Sequence, residues 1–262
     1  MIPAFNEVRT LPVVIERVQR ALGEPFLCGK GIDAEIIVVD DGSTDGTREW
    51  LSTLDEPAVQ VVLRSRNEGK GAALAEGFAR ARGDIVLIQD ADLEYDPRDY
   101  PTLLGPILEG DADVVFGSRF LGGPHRVLYF WHAVANRILT TLSNMLTNLN
   151  LSDVEVGYKV FARAALAGLR IESRRFGCEP EIVAKVAAQH SRVYEVPVRY
   201  RGRTYAEGKK IGFKDALEAV WVILRFGALH RLRRRARIPA AAAARVPRTV
   251  AAPREQPAEL PG

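Results

Sequence analysis

Residues 84–92, Asp-Ile-Val-Leu-Ile-Gln-Asp-Ala-Asp, decide the fold that this sequence predicts. The four apolar residues at 85–88 are typical of a strand that is buried on both faces, as in a parallel sheet. Asp90 and Asp92 follow that strand, with Ala91 between them. Because side chains alternate along an extended chain, both carboxylates are expected to point the same way at the carboxyl end of the strand. Ligands bind at that end in open α/β sheets.

Two carboxylates at this spacing repel each other unless a cation lies between them. A hard divalent ion with oxygen ligands, itself bound to a diphosphate, would satisfy Asp90 and Asp92 together. The alternative is a pair of solvated loop acids, and the D-x-D pattern alone does not exclude it. The rest of the sequence favours the metal interpretation.

The composition is that of a globular protein of 262 residues, 47% apolar and 26% charged. The net charge is +3, but the chain after position 230 carries eight Arg and two Glu, which leaves −3 for residues 1–230. This distribution argues against a body that binds nucleic acid. Cys28 and Cys178 are too few and too far apart for a disulfide framework or a zinc site, which favours a reduced cytoplasmic compartment. With no signal peptide and no apolar run of about 18 residues, a soluble or peripheral protein is expected.

The first half of the sequence alternates predicted strands and helices. Apolar spacing and turn residues indicate, in chain order, a helix at 11–22, a strand at 35–39, a helix around 50–51, a strand at 59–63, a helix at 71–82, the strand at 85–88, a helix at 100–108 and a strand at 113–117. This alternation predicts an α/β fold with a mostly parallel central sheet and helices on both sides.

The second half follows a different pattern. It predicts a long aromatic-rich helical segment at 127–151, a strand at 156–162, a helix at 179–189, a strand at 193–198 and a helix at 213–226. We expect one α/β domain at 1–215, with a nucleotide-binding half at about 1–120 and an acceptor half at about 121–215. An amphipathic basic helix at 216–237 and a disordered tail at 238–262 would follow.

The N-terminal end is unusual, because almost no strand precedes Pro3. Either the first strand is very short or the start codon lies upstream. The second is expected, since a central strand of two residues would leave backbone groups of its neighbours unpaired.

Together these segments resemble the family 2 glycosyltransferases, which have the GT-A fold of nucleotide-diphospho-sugar transferases. The resemblance covers about residues 1–215. The motifs that carry it are Ile2-Pro3-Ala4-Phe5-Asn6-Glu7, Val38-Val39-Asp40-Asp41-Gly42-Ser43-Thr44-Asp45, Asn67-Glu68-Gly69-Lys70-Gly71, Asp90-Ala91-Asp92 and Gly117-Ser118-Arg119. Within the family the chain is most similar to the dolichyl- and polyprenyl-phosphate sugar synthases, and it lacks the Q-x-x-R-W signature of processive polysaccharide synthases.

The resemblance implies an inverting hexosyltransferase that requires Mg2+ or Mn2+. It assigns Asp92 as a metal ligand, and Glu94, two residues further on, is our candidate for the second ligand. The metal would neutralise charge as the nucleoside diphosphate departs. The nucleotide-sugar site is expected to contain Pro3, Phe5, Glu7, Val39, Asp41 (or Asp40), Lys70, Asp90, Ala91 and Asp92.

Transfer to a hydroxyl needs a carboxylate to accept its proton, and the family often places that acid where Glu179 and Glu181 stand here. We therefore expect Glu181, with Asp92 and Arg119, to be catalytic. A lipid phosphate is already ionised and needs no base, and the two glutamates would then only stabilise a helix N-terminus. Lys70 and Arg119 either add positive charge to the site or belong to the solvated surface.

The basic segment 200–210 is expected to close over phosphates. Its candidates for binding the acceptor phosphate are Arg201, Arg203, Lys209 and Lys210, with Arg126 and His125 outside the segment. Leu128, the aromatic residues at 129–131 and the Arg cluster at 231–237 indicate peripheral contact with a membrane. A buried helix and a solvated tail are the alternatives.

The leading hypothesis is transfer of a hexose from a donor of the GDP-mannose or UDP-glucose class to polyprenyl phosphate, at the cytoplasmic face of a membrane. A soluble family member with a hydroxyl acceptor is the nearest alternative. A sugar nucleotidyltransferase is disfavoured, because Asn6 and Glu7 stand where that class has a Gly-rich basic loop. A non-catalytic nucleotide-binding protein is the third alternative.

Overall fold

The structure is a computed structural model that describes residues 1–122, 125–127, 129–175, 177–204 and 213–236, with the side chains of 216–227 in the last segment. The strands are β1 (Ile2–Ala4), β2 (Ile36–Asp40), β3 (Val59–Leu63), β4 (Ile85–Ile88), β5 (Val114–Ser118), β6 (Lys159–Ala162) and β7 (Val193–Pro197). The helices are α1 (Leu11–Leu22), α2 (Pro25–Cys28), α3 (Thr47–Ser52), α4 (Lys70–Arg80), α5 (Tyr100–Leu108), α6 (Phe130–Thr147), α7 (Arg163–Ala167), α8 (Cys178–Ala188) and α9 (Phe213–Ala236).

The strands form two sheets that meet at the N-terminus. One is parallel, in the order β1-β2-β3, and the other has the order β4-β6-β5-β7. The amino group of Met1 donates to the Leu87 carbonyl at 2.8 Å, and the Gln89 N–H donates to the Met1 carbonyl at 2.9 Å. These two bonds place β1 beside β4, so the strands read 3-2-1-4-6-5-7 across the molecule. The mostly parallel sheet is confirmed, with β6 antiparallel to both of its neighbours.

The register of this sheet decides where the site lies. In the parallel pair β1–β2, Pro3 is opposite Val39 and Ala4 is opposite Asp40, so the two strands end at the same level. β4 ends beside them. The segments that leave the three strands therefore meet at one edge of the sheet, as expected for carboxyl ends of parallel strands.

The core explains the apolar patterns in the sequence. α1 buries Leu11, Val14, Ile15 and Val18 at helical spacing. In β4 the side chains of Val86 and Ile88 are buried, whereas the alternate positions are only partly covered. None of the described helices combines the length and the hydropathy needed to cross a bilayer.

Several predicted boundaries change. α6 covers 130–147 rather than 127–151 and ends at Asn148, whose φ of +60° is the left-handed conformation that terminates helices. β6 begins at 159 rather than 156. The helix expected at 213–226 and the basic helix expected at 216–237 form one helix, α9, at 213–236. The short helices α2 and α7 were not predicted. The division of the domain into two halves stays a prediction, and the tail at 238–262 lies outside the described residues.

Hydrogen bonds connect the loop after β1 to the segment after β2. The Asn6 N–H donates to Ser43 Oγ at 2.9 Å, and the Thr44 N–H donates to Asn6 Oδ1 at 2.8 Å. The Glu7 N–H donates to Thr47 Oγ1 at 3.0 Å. These bonds hold the two loops as one wall at the edge of the sheet.

Gly42 makes the second of these loops possible. Its φ is +73°, and a Cβ there would lie 2.6 Å from the backbone carbon of Arg66. Gly110 has a similar φ of +81°, but a Cβ there would meet nothing within 4 Å. Both positions favour glycine by conformation, and only Gly42 also requires it for space.

We expect Gly42→Ala to lower the free energy of unfolding by about 2 kcal/mol more than Gly110→Ala. Both variants take on left-handed strain, whereas only the first forces the loops after β2 and β3 apart. Urea denaturation of the two variants and the parent measures the difference. Equal losses would contradict the close packing of this loop.

Candidate functional site

An open cavity of about 280 Å³ lies at the edge of the sheet where β1, β2 and β4 end. Such an edge cavity with a few convergent polar groups is the expected form of a ligand site. Its walls are Pro3, Ala4, Phe5, Glu7, Asp41, Asn67, Gly69, Lys70, Ala73, Asp90, Ala91, Asp92, Arg175 and Arg203.

The structure brings together the nucleotide-sugar residues expected from the sequence, with one exception. Pro3, Phe5, Glu7, Asp41, Lys70, Asp90, Ala91 and Asp92 all line the cavity. Val39 does not, because its side chain is fully buried within β2. Asp40, the alternative to Asp41, is also buried and accepts hydrogen bonds from the Ser43 N–H and from Arg48.

Asp41 organises the loop that leads into α4. Its carboxylate accepts a hydrogen bond from the Gly69 N–H at 2.6 Å and one from the Glu68 N–H at 3.1 Å, and it pairs with Arg64. Lys70, the first residue of α4, is thereby held on the cavity wall.

Lys70 links Asp90 to the second half of the domain. Its Nζ lies 2.6 Å from Asp90 Oδ1 and 2.7 Å from Glu179 Oε1. Glu179 also pairs with Lys159, whose side chain is fully buried. Burial by itself would lower the pKa of Lys70, but Asp90 and Glu179 outweigh it and hold that pKa well above its usual value. The alternating charges keep Lys70 protonated and the Asp90 carboxylate in place.

Asp92 and Glu94 share a different cation, Arg203. The guanidinium lies 2.7 Å from Asp92 Oδ2 through Nη2, 3.0 Å from Glu94 Oε1 through Nε, and 3.3 Å from Glu7 Oε1 through Nη1. The Arg203 N–H also donates to Glu94 Oε1 at 3.0 Å. One arginine therefore bridges three carboxylates from two different loops.

Negative charge still exceeds positive charge here. Burial raises the pKa of Asp92 to about 7, with further contributions from the charges of Asp90 and Glu94, and Arg203 only partly opposes them. A carboxyl in this state favours either a proton or an additional cation.

The donor set fits a hard divalent ion. Asp92 and Glu94 offer carboxylate oxygens, which Mg2+ and Mn2+ prefer, and both already surround a cationic group. The described residues contain no group of three His, Cys, Asp or Glu side chains that converges on one point as a finished metal cage.

Glu181, expected as a general base, lies elsewhere. Its side chain is fully buried and accepts hydrogen bonds from the backbone N–H groups of Glu172 at 2.7 Å and Ser173 at 2.6 Å. It also pairs with Lys185 at 2.6 Å. These contacts fix the segment before α8, and Glu181 does not line the cavity.

Arg119, which was expected to be catalytic, does not line the cavity and lies behind its wall. Its guanidinium forms a two-point ion pair with Asp153, at 2.6 and 2.7 Å, and lies over the Tyr200 ring at 5.1 Å. The Tyr200 hydroxyl donates to Glu94 Oε2 at 2.9 Å. Arg119 therefore supports the second oxygen of Glu94 through Tyr200.

The acceptor candidates divide into three groups. Arg203 lines the cavity. Arg126 and Arg201 are exposed and lie off the lining, and Lys209 and Lys210 are outside the described residues. Arg126 donates from its backbone to the Tyr200 carbonyl at 2.9 Å, which keeps it beside the same segment.

Arg175 was missed in the sequence. It lines the cavity because the Arg174 carbonyl accepts the Gly71 N–H at 2.8 Å, which packs residues 173–175 against the start of α4. No local motif announces this contact, since it joins segments about 100 residues apart. The Arg-Arg pair at 174–175 was the only available signal.

Comparison with known proteins identifies relatives over most of the chain. The model of the family described as Glycosyl transferase family 2 matches residues 1–170. The undecaprenyl-phosphate mannosyltransferase of Micrococcus luteus is 30% identical over 224 residues, which cover 81% of this chain and 86% of the relative. The polyprenol monophosphomannose synthase of Mycolicibacterium smegmatis is 30% identical over 244 residues, covering 89% and 88%.

A solved structure shows the same fold. Glucosyl-3-phosphoglycerate synthase of Mycobacterium tuberculosis, in complex with Mn2+, UDP and glucosyl-3-phosphoglycerate, matches with a TM-score of 0.64. The match covers 87% of this chain and 78% of that one at 24% identity. This likeness establishes the GT-A fold that the motifs predicted.

The pKa of Asp92 predicts how a metal should bind. The ionised carboxylate is the ligand, so below pH 7 a bound proton must first leave Asp92. We expect the affinity for Mn2+ to fall about tenfold per pH unit below 7 and to level off above it. Titration by electron paramagnetic resonance at pH 6, 7 and 8 measures this. A constant affinity across this range contradicts the assignment.

Proposed function

The chain belongs to glycosyl transferase family 2, and from that premise we propose that it transfers a hexose from a nucleotide sugar to polyprenyl phosphate. The single observation that carries the choice of acceptor is the charge of the cavity wall. The described second-half residues on that wall, Arg175 and Arg203, are both cations. The acids that line it, Glu7, Asp41, Asp90 and Asp92, all belong to the first half.

This distribution suits an anionic acceptor better than a hydroxyl. A hydroxyl acceptor needs a carboxylate near its oxygen. Glu181 is bonded to backbone, and Glu179 is held between Lys70 and Lys159. A phosphate monoester is already ionised and would be attracted by the two arginines. The names of the two relatives, an undecaprenyl-phosphate mannosyltransferase and a polyprenol monophosphomannose synthase, support the same choice.

The donor would bind along the first-half wall. Pro3 and Phe5 provide apolar surface for the nucleoside, and Lys70 supplies positive charge beside Asp90 for the diphosphate. The donor class is GDP-mannose or UDP-glucose, and the mannosyltransferase relatives favour the first.

The reaction would be an inverting displacement at the anomeric carbon. An oxygen of the acceptor phosphate forms a bond to C1 of the hexose while the bond from C1 to the diphosphate oxygen breaks. The products are the nucleoside diphosphate and a hexosyl phosphopolyprenol, and no proton has to be removed. Asp92 and Glu94 would hold Mg2+ or Mn2+, which neutralises charge on the leaving diphosphate when bound.

Exposed apolar side chains on α6 and α9 support binding to a membrane surface. Trp131, Ile138 and Met145, seven residues apart on α6, are 75%, 61% and 64% exposed. On α9, Leu217 and Trp221 are 56% and 57% exposed. Apolar side chains that remain exposed on a helix suit the interface of a bilayer.

The two helices pack against each other. A Cβ on Gly227 of α9 would lie 2.6 Å from Leu146 of α6, so the helices are in close contact. We infer peripheral binding to the cytoplasmic side of a membrane through this pair. Of the aromatic segment expected to contribute, Phe130 is 69% exposed and Leu128 lies outside the described residues, as do the side chains at 231–237.

The acceptor is tested with labelled donor. Protein, Mn2+, a short-chain polyprenyl phosphate in detergent and radiolabelled GDP-mannose or UDP-glucose should give label in the organic phase. Asp92→Asn should lower that rate by at least about 100-fold. Asp84→Asn, the same change at the opposite end of β4, should leave it unchanged. Label confined to the aqueous phase contradicts the lipid acceptor, and full activity of Asp92→Asn contradicts the metal ligand.

Membrane contact is tested by flotation with vesicles of equal parts phosphatidylglycerol and phosphatidylcholine. Replacing Trp131 and Trp221 with Ser together should weaken binding by about tenfold or more, since each ring loses its place in the interface. Tyr194→Ser removes an exposed aromatic residue from β7, outside both helices, and should bind like the parent. Equal loss in both variants would reject this surface.

A further inference from the structure

We propose that Arg203 is the built-in counter-cation of the metal site. Its guanidinium holds Asp92 and Glu94, and it leaves them when a divalent ion binds and turns to the diphosphate that arrives with the ion. This inference rests on the proposed function, whose metal and phosphates it uses. It assigns Arg203 a second role beyond the binding of acceptor phosphate.

The first argument is that the guanidinium of Arg203 contacts three carboxylates. Three of its nitrogens each face a different carboxylate, those of Glu7, Asp92 and Glu94. These groups come from the loops after β1 and β4, whereas Arg203 lies more than 100 residues further along the chain. Since Asp92 and Glu94 are the residues that offer oxygen ligands, Arg203 occupies the position of a cation between them.

The second argument is competition. Within the described residues, the salt bridges of Asp92 and Glu94 are both with Arg203. A hard ion needs lone pairs on the same carboxylates. The two cations therefore compete for these carboxylates, and the affinity for the ion is reduced by the fraction of molecules in which Arg203 is bound.

The third argument is what a released arginine can reach. Arg203 lines the same cavity as Lys70 and Arg175, and its side chain is 25% exposed, so it is not locked in a core. A guanidinium binds phosphate through two parallel hydrogen bonds, which a lysine cannot do. Displacement from the carboxylates thus leaves Arg203 beside the anions that arrive with the metal.

The test measures the affinity for Mn2+ without nucleotide, at pH 8, with electron paramagnetic resonance as the detection method. Arg203→Gln should bind Mn2+ about fivefold or more tightly than the parent, because the competing cation is gone. Arg203→Lys should lie between them. Arg192→Gln is the control for net charge: this arginine pairs with Asp113 at the start of β5, at the other end of the sheet. It should bind Mn2+ like the parent.

The second measurement adds GDP or UDP. Under the proposal, Arg203→Gln tightens Mn2+ alone but weakens the Mn2+–nucleotide complex, because the phosphate contact is lost. An arginine that merely supports the fold would weaken both. Unchanged or weaker binding of Mn2+ alone in Arg203→Gln overturns the proposal, as does equal tightening in Arg192→Gln. Formation of labelled lipid by the parent decides the proposed function separately.

Discussion

The structure depends on an excess of negative charge at the carboxyl end of β4. Three acids, Asp90, Asp92 and Glu94, lie within five residues of one another just after this strand. Lys70 pairs with Asp90, and Arg203 pairs with the other two. Burial of the charge makes this incomplete neutralisation significant, as the raised pKa of Asp92 shows. An additional cation is therefore favourable at this place, and the fold positions the surrounding parts of the site around it.

The two basic partners join the halves of the domain. Lys70 reaches Glu179 and, through it, the buried Lys159 of β6. Arg203 reaches back to Glu7 in the loop after β1. Buried ion pairs contribute little net stability because their desolvation is costly, but breaking one partner is strongly destabilising. Their effect here is geometric, since they hold acids from the first half against segments from the second.

This arrangement gives the site two sides with different chemistry. The first-half wall carries apolar residues, acids and Lys70, and the described second-half residues on the wall are arginines. The exposed apolar residues of α6 and α9 belong to the second half as well. A donor that brings its own cation and a lipid acceptor that brings a phosphate would fit such a division.

Local sequence was sufficient for much of the fold. β4 and the helix α1 follow from apolar spacing alone, and the loops at 3–7 and 41–45 follow from motifs with turn residues. The direction of β6 did not follow, because antiparallel pairing depends on which strands a segment meets. Nor did the roles of Glu179 and Glu181, which share the first turn of α8. One points to Lys70 and the other to the backbone at 172–173.

By itself, the sequence determined the family, the sheet edge at which the site lies and the acids that define it, because these depend on short patterns of residues. Only the tertiary structure decided which cations meet those acids and which glutamate remains structural. Arg203 pairs with Asp92 across more than 100 residues of chain, and Arg175 reaches the cavity because the Arg174 carbonyl accepts the Gly71 N–H. Both placements come from packing of the whole domain. The D-x-D pair thus predicted a cation at this edge of the sheet, and the fold revealed that the protein's own Lys70 and Arg203 pair with its two carboxylates.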